Sequence, residues 1–300
     1  MSRSHLLRAD VRMPVRLVLL AALLLVPPIV TGGASAQIER WRANPSAPVD
    51  ELFWAPTVIV TNSVTNLDKG DLNFSIMHSF GIATNGVEDL FGLDAAANIR
   101  FGLDYGITNR FSVGLGRSRF ERIYDARFKF NVLRQTRDER VPLEFAIQAG
   151  AGITTDPNGF ELVDRMSYLA TAMLGRRMNS WFAFQVSPIY SHINTVFTEL
   201  RGDSTVITRE NDHLAVAVAV HLRLAQRVAL IAEYVPVFGP RSDDTINAVG
   251  VGFDLETGGH VFQVFVTTSQ WLTPQHMVAR NTDDFTAGDF RLGFNVNRVF

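Results

Sequence analysis

The chain has 300 residues, with 28 basic and 30 acidic side chains, and 47% of it is hydrophobic. That slightly acidic balance argues against a nucleic-acid binder. With no cysteine, the chain also excludes disulfide frameworks, cysteine metal sites and a lipid-anchored lipoprotein.

The first 36 residues read as an export signal. Arg3, Arg8, Arg12 and Arg16 form a basic start, and Leu17 to Val30 is a short apolar run closed by Pro27 and Pro28. Ala34-Ser35-Ala36 is a small-residue cleavage site, which predicts a mature start at Gln37. The apolar run falls short of the roughly 20 residues a spanning helix needs. Residues 37–71 come next, with Pro45, Pro48 and Pro56 interrupting them and the turn signal Asp68-Lys69-Gly70-Asp71 at their end. A strand over Thr57 to Val64 would make the strand count odd. The segment is therefore expected to be an N-terminal extension that either plugs the lumen or lies at the periplasmic mouth.

From Leu72 onward, hydrophobic and polar residues alternate in twelve segments: 72–82, 97–107, 110–119, 123–133, 142–153, 166–176, 181–191, 213–224, 228–237, 247–256, 260–270 and 288–300. Period two means a strand with one apolar and one polar face. Ile99, Phe101, Leu103, Tyr105 and Ile107 oppose Arg100, Gly102, Asp104 and Gly106. Most segments match the roughly 9–11 residues of a tilted membrane-crossing strand, where soluble strands are nearer 5–6. In a membrane barrel the apolar face meets lipid and the polar face lines the lumen. No Pro/Ser-rich linker divides residues 72–300, so they read as one barrel.

Connections alternate short and long. Thr108-Asn109, 177–180, 225–227 and 257–259 are tight, whereas 83–96, 154–165, 192–212, 238–246 and 271–287 are long. A periplasmic C-terminus puts all these short turns on the periplasmic side, as outer-membrane barrels arrange them. One hairpin departs: 119–122 is brief where an outer loop belongs, and 134–141 is long where a turn belongs. Tyr105, Phe111, Trp181, Phe182, Tyr190, Tyr234, Phe238, Trp271 and Phe300 fall near strand ends and are expected to form aromatic girdles. The chain closes with Phe290, Leu292, Phe294 and Val296 alternating with polar residues and ends on Phe300. This ending looks like the closing strand that barrel-assembly machinery reads, although Arg298 stands where an apolar residue is expected.

Chemistry-bearing motifs are absent. The Gly-x-Gly pairs at 114/116, 150/152 and 250/252 lack a dinucleotide-loop context. His213 and His221 share a face, but at about 3.3 Å per residue they stand roughly 26 Å apart, too far for one metal. Ser191 and His192 point to opposite faces and do not form a simple pair. No catalytic residue, cofactor or metal is expected. The inward charges Arg100, Asp104, Asp125, Arg127, Lys129, Glu144, Arg223, Glu233, Asp254 and Arg291 are the candidates for a constriction or a structural network.

The run D-Y-G-I-T-N-R-F-S-V-G-L-G-R-S (Asp104 to Ser118), with Tyr124-Asp125, Leu133-Arg134-Gln135, Gly70 to Phe74 and His78 to Gly81, resembles the family called domain of unknown function 5777. Ser79 stands where that family is expected to carry a basic residue. The resemblance implies an exported bacterial β-barrel and carries over no substrate or catalytic residue. The reading is an all-β, transmembrane, antiparallel up-and-down β-barrel of about twelve strands in a bacterial outer membrane. Its expected partners are outer-membrane lipid and the barrel-assembly machinery, with no nucleic acid. It is expected to be a passive small-solute channel or a structural membrane protein. A rim-located hydrolase, a surface binding module using loops 192–212 and 271–287, and a soluble lipocalin-like product are the alternatives.

Overall fold

A computed structural model describes residues 46–300, except 158, 197, 198, 202–204, 208 and 240. The export signal, with Ala34, Ala36 and Gln37, lies outside the described residues. The strands are β1 (Leu72–Ile82), β2 (Asn98–Thr108), β3 (Phe111–Ser118), β4 (Tyr124–Leu133), β5 (Glu144–Ile153), β6 (Met166–Arg177), β7 (Phe182–Ile193), β8 (Glu199–Arg201), β9 (Thr205–Ile207), β10 (Asp212–Ala225), β11 (Val228–Val235), β12 (Val237–Phe238), β13 (Ala248–Glu256), β14 (His260–Thr267) and β15 (Arg291–Val299). One α-helix, α1 (Pro274–Arg280), lies in the connection before β15. The short strands β8 and β9 pair only with each other, within the long connection 194–211.

Each remaining strand pairs antiparallel with its neighbour, and β15 pairs with β1 to close the ring. β11 and β12 both pair with β10 and are two parts of one stave, separated by Pro236, which has no N–H to give the ladder. The result is a closed barrel of twelve staves. Closure satisfies every ladder edge internally, as hydrocarbon requires of a spanning structure.

Phe101 and Leu103 are 48% and 49% exposed on the outside, whereas Arg100 and Asp104 between them are 2% and 7% exposed. Phe128, Phe130, Leu214 and Val218 are also exposed, while Lys129, Asn131, His213, Ala217 and Ala219 are buried. The apolar face therefore points outward and the polar face inward.

The last strand is shorter than its sequence pattern. β15 begins at Arg291, so Phe290 precedes it and sets its ring edge-on to Phe285. Leu292, Phe294 and Val296 take the outer face. Arg298 fits because it sits at the rim: its Nη1 is 2.7 Å from His260 Nε2 and its guanidinium lies 4.6 Å over the Phe300 ring.

Two expectations about the connection 268–290 are corrected. Trp271 is not a girdle residue: it is buried, with its ring stacked 5.5 Å from that of His276. Most of the loop is not a free outer surface either, because Thr268, Ser269, Leu272 and Gln275 to Ala279 are all buried. It folds inward, with Ser191 Oγ donating to the Gln275 carbonyl at 2.8 Å and Thr245 Oγ1 to that of Ala279 at 3.3 Å.

Candidate functional site: a filled lumen

The inward face of β3 carries Ser112, Gly114, Gly116 and Ser118. These small residues let charges from β2 and β4 meet across it. Arg100 grips Asp125 through Nη2–Oδ1 at 2.6 Å and Nε–Oδ2 at 3.0 Å. Arg127 grips Asp104 through Nε–Oδ1 at 2.8 Å and Nη2–Oδ2 at 2.7 Å, and its Nη1 also reaches Asp125 at 3.3 Å. A Cβ at Gly114 would fall 2.8 Å from Arg127 Nε, and one at Gly116 would fall 2.6 Å from Asp125 Oδ2. Paired bidentate geometry of this kind offsets much of the cost of removing charges from water.

The other candidate charges do not join this group. Lys129 donates to the carbonyls of Ser63 and Thr65. Glu144 accepts from Asn131 Nδ2 at 3.0 Å. Asp254 accepts from Gln263 Nε2 at 2.9 Å and lies 3.6 Å from His221 Nε2. Arg291 pairs with Asp283, and Arg223 lies 5.4 Å over the Trp54 ring. The ten charges therefore form several local groups rather than one constriction.

Two insertions occupy the space between them. The first is residues 53–65, folded as a hairpin whose tip closes through Val58 N–H to the Thr61 carbonyl at 2.8 Å. Leu52, Phe53, Val58 and Val64 pack against Ala146, Met173, Ala183 and Ala219 of the wall. Glu233 receives three main-chain N–H groups of the tip, those of Ile59, Val60 and Thr61. The second insertion is the loop bearing α1. The two meet in an apolar cluster that joins Ile59 and Val60 to Trp271, Met277 and Val278.

Burial and, next, the neighbouring Arg280 cation hold the His276 imidazole down to about 3, so it is neutral in α1 and its Nδ1 lies 2.8 Å from Thr273 Oγ1. Beside the Arg100–Asp125 and Arg127–Asp104 pairs remain cavities of about 20 and 10 Å³, each with room for no more than about one water. A larger recess of about 460 Å³ lies at the long-loop end, between Glu121, Asp164, Arg165, Trp271 and Arg280.

Sequence reasoning missed the amides that hold the hairpin, Gln185, Gln263, Asn131 and Asn295. Their only signal was a polar residue at an inward position, which does not distinguish a binding amide from a wetted wall. Ser191 is buried inward, while His192 lies outside with Nδ1 2.7 Å from Asp212 Oδ1, so the two stay apart.

A family model described as a membrane bound beta barrel domain (DUF5777) matches residues 53–300. No curated protein matches the chain. Similar solved structures include the NanC porin, at 6% identity and TM-score 0.47, covering 76% of this chain and 98% of that one. The COG4313 outer membrane channel from Pseudomonas putida F1 has 11% identity and TM-score 0.48, covering 78% and 97%. Salmonella typhi OmpF has 8% identity and TM-score 0.36, covering 77% and 97%. With these scores below 0.5, the architecture rests on the strand pairing itself.

Proposed function

Because the chain belongs to the family of membrane bound beta barrel domains called DUF5777, we propose that it is a bacterial outer-membrane conduit for small solutes, closed at rest by residues 53–65. The observation that carries this reading is the chemistry of the wall. A barrel built to stay permanently dry inside is served as well by apolar side chains, whereas this wall presents Lys129, Gln185, Glu233, Gln263 and Asn295 to the hairpin. Those groups remain compatible with water once the hairpin leaves, so the closed state is reversible.

The short turns face the periplasm in this reading, with Phe300 offered to the assembly machinery and the mature chain starting at Gln37. Mass spectrometry of the purified protein checks that start. The conduit is tested in planar bilayers. The mature chain is expected to be silent and a chain lacking residues 37–66 to conduct. Silence of a folded, shortened barrel sinks the proposal. Hydrolysis of phospholipid or peptide by the reconstituted chain would favour an enzyme instead.

A further inference from the structure

Beside the apolar packing of Phe53, Val58 and Val64, the hydrogen bonds between wall and hairpin run almost entirely through the hairpin's main chain. Glu233 accepts the N–H groups of Ile59 at 3.3 Å, Val60 at 3.0 Å and Thr61 at 3.1 Å. Gln185 pairs as one peptide group pairs with another: its Oε1 accepts the Val64 N–H at 2.6 Å and its Nε2 donates to the Asn62 carbonyl at 2.9 Å. Gln263 donates to the Val58 carbonyl at 2.7 Å, Asn295 to that of Ile59 at 3.0 Å and Asn131 to that of Val64 at 3.1 Å. Lys129 donates to two further carbonyls. Among these wall contacts, hairpin side chains add only the Thr61 hydroxyl, which donates to Glu233 at 2.6 Å.

A surface that reads N–H and C=O groups recognises peptide, whatever its sequence, because every residue but proline offers the same pair. The charges are also sorted. In the ring of twelve staves, β4 with Lys129 and β11 with Glu233 stand five staves apart, one short of directly opposite. The carboxylate meets the donors of the segment between them and the ammonium meets its acceptors. A free short peptide has the same polarity, with an ammonium at one end and a carboxylate at the other.

We propose that the lumen wall around Glu233, Gln185 and Lys129 is a binding site for short zwitterionic peptides of no fixed sequence, for which residues 57–65 stand in while the barrel is closed. The proposal rests on the hairpin being displaceable, as the conduit reading holds.

The test uses the full-length chain in detergent, with trialanine and maltotriose as probes. Val60→Pro with Thr61→Pro removes two of the three N–H donors to Glu233 and so weakens the hairpin's hold on the cradle without touching the wall. This variant is expected to bind trialanine about ten-fold more tightly than the wild type does, and about ten-fold more tightly than it binds maltotriose. Adding Glu233→Gln and Lys129→Met is expected to lower trialanine binding by about ten-fold. Equal affinity for the two probes, or trialanine binding indifferent to those wall substitutions, overturns the proposal. Should the proline variant not fold, Thr61→Ala removes one donor with no change of backbone and is expected to raise trialanine binding about three-fold over wild type; no rise overturns it. Bilayer current from the same variant separates the two readings. Current without peptide preference sinks the peptide site and leaves the conduit, whereas peptide binding without current sinks the conduit and leaves the site.

Discussion

Gly114 and Gly116 have negligible bulk, and that is their contribution. Across their Cα atoms two arginines reach two carboxylates, and there is no room for a methyl group on either. Gly114→Ala and Gly116→Ala are each expected to destabilise the folded barrel by about 1–3 kcal/mol through overpacking. Asp104→Ala leaves the Arg127 cation buried without its main partner and is expected to cost about 3–5 kcal/mol, whereas Asp104→Leu with Arg127→Met is expected to be nearly neutral. Urea unfolding from lipid vesicles reads all four. His276 sets a pH dependence whose sign is fixed by its surroundings. Arg280 on its own helix and Asp125 on β4 are the charges that face it, and burial holds its pKa near 3, against about 6.5 when unfolded. Below about pH 6.5 the unfolded chain takes up a proton that the folded chain refuses until about pH 3, so this group costs stability as pH falls through that window. The wild type is expected to lose more stability between pH 7 and pH 4.5 than His276→Gln, measured by the same unfolding.

At the scale of elements, the departure in loop lengths around β4 has a structural use. The long connection 134–143 docks the chain on its way into the barrel: Val49 N–H donates to the Gln135 carbonyl at 2.9 Å, Arg137 N–H donates to that of Ala47 at 3.0 Å, and Pro48 bridges to Thr136. Val49→Pro removes the first of these bonds and is expected to loosen the hairpin by about 1 kcal/mol, raising the amide hydrogen-exchange rate of residues 57–65 about five-fold. Asp50→Ala, which breaks partly exposed ion pairs to Arg137 and Arg177, is expected to change it little. The strands themselves were legible, because alternation is local and each segment carries its own record of which face is apolar. Their ends were less so: Phe290 continues the alternation of β15, but the chain turns there and the ladder starts at Arg291. The site was legible only in part. Inward charge could be read from period two, which placed Arg100, Asp104, Asp125 and Arg127 on the inward faces of strands two positions apart. Their partners could not be read, because period two gives a side chain's face and not the neighbour it meets. Glu233 finds its donors at residues 59–61, and no local pattern links the two. Trp271 failed for a related reason, since an indole past the end of a strand looks the same whether the loop turns toward lipid or into the lumen.

At the scale of the molecule the interior is obstructed twice. Residues 53–65 and the α1 loop meet at Ile59, Val60, Met277 and Val278, one of two apolar clusters inside the barrel. This joint is where hydrophobic burial works between the two insertions, while apolar packing and hydrogen bonds together fix the hairpin to the wall. Burial of apolar surface at a shared face couples the two, because withdrawing one exposes the other. Obstructions in series also obey a simple rule: flow is set by the tighter one, here the hairpin, with the α1 loop a partial obstruction behind it. Deleting residues 274–280 from the full chain is therefore expected to leave it silent, since the hairpin still stands in the way. Removing residues 37–66 alone is expected to give a small conductance, limited by the α1 loop. Removing both is expected to give a conductance larger than the sum of the two separate effects. Planar-bilayer recordings of the three barrels distinguish this from independent obstructions. Two parallel leaks would add, and a current on deleting 274–280 alone would mean that the hairpin is not a complete closure.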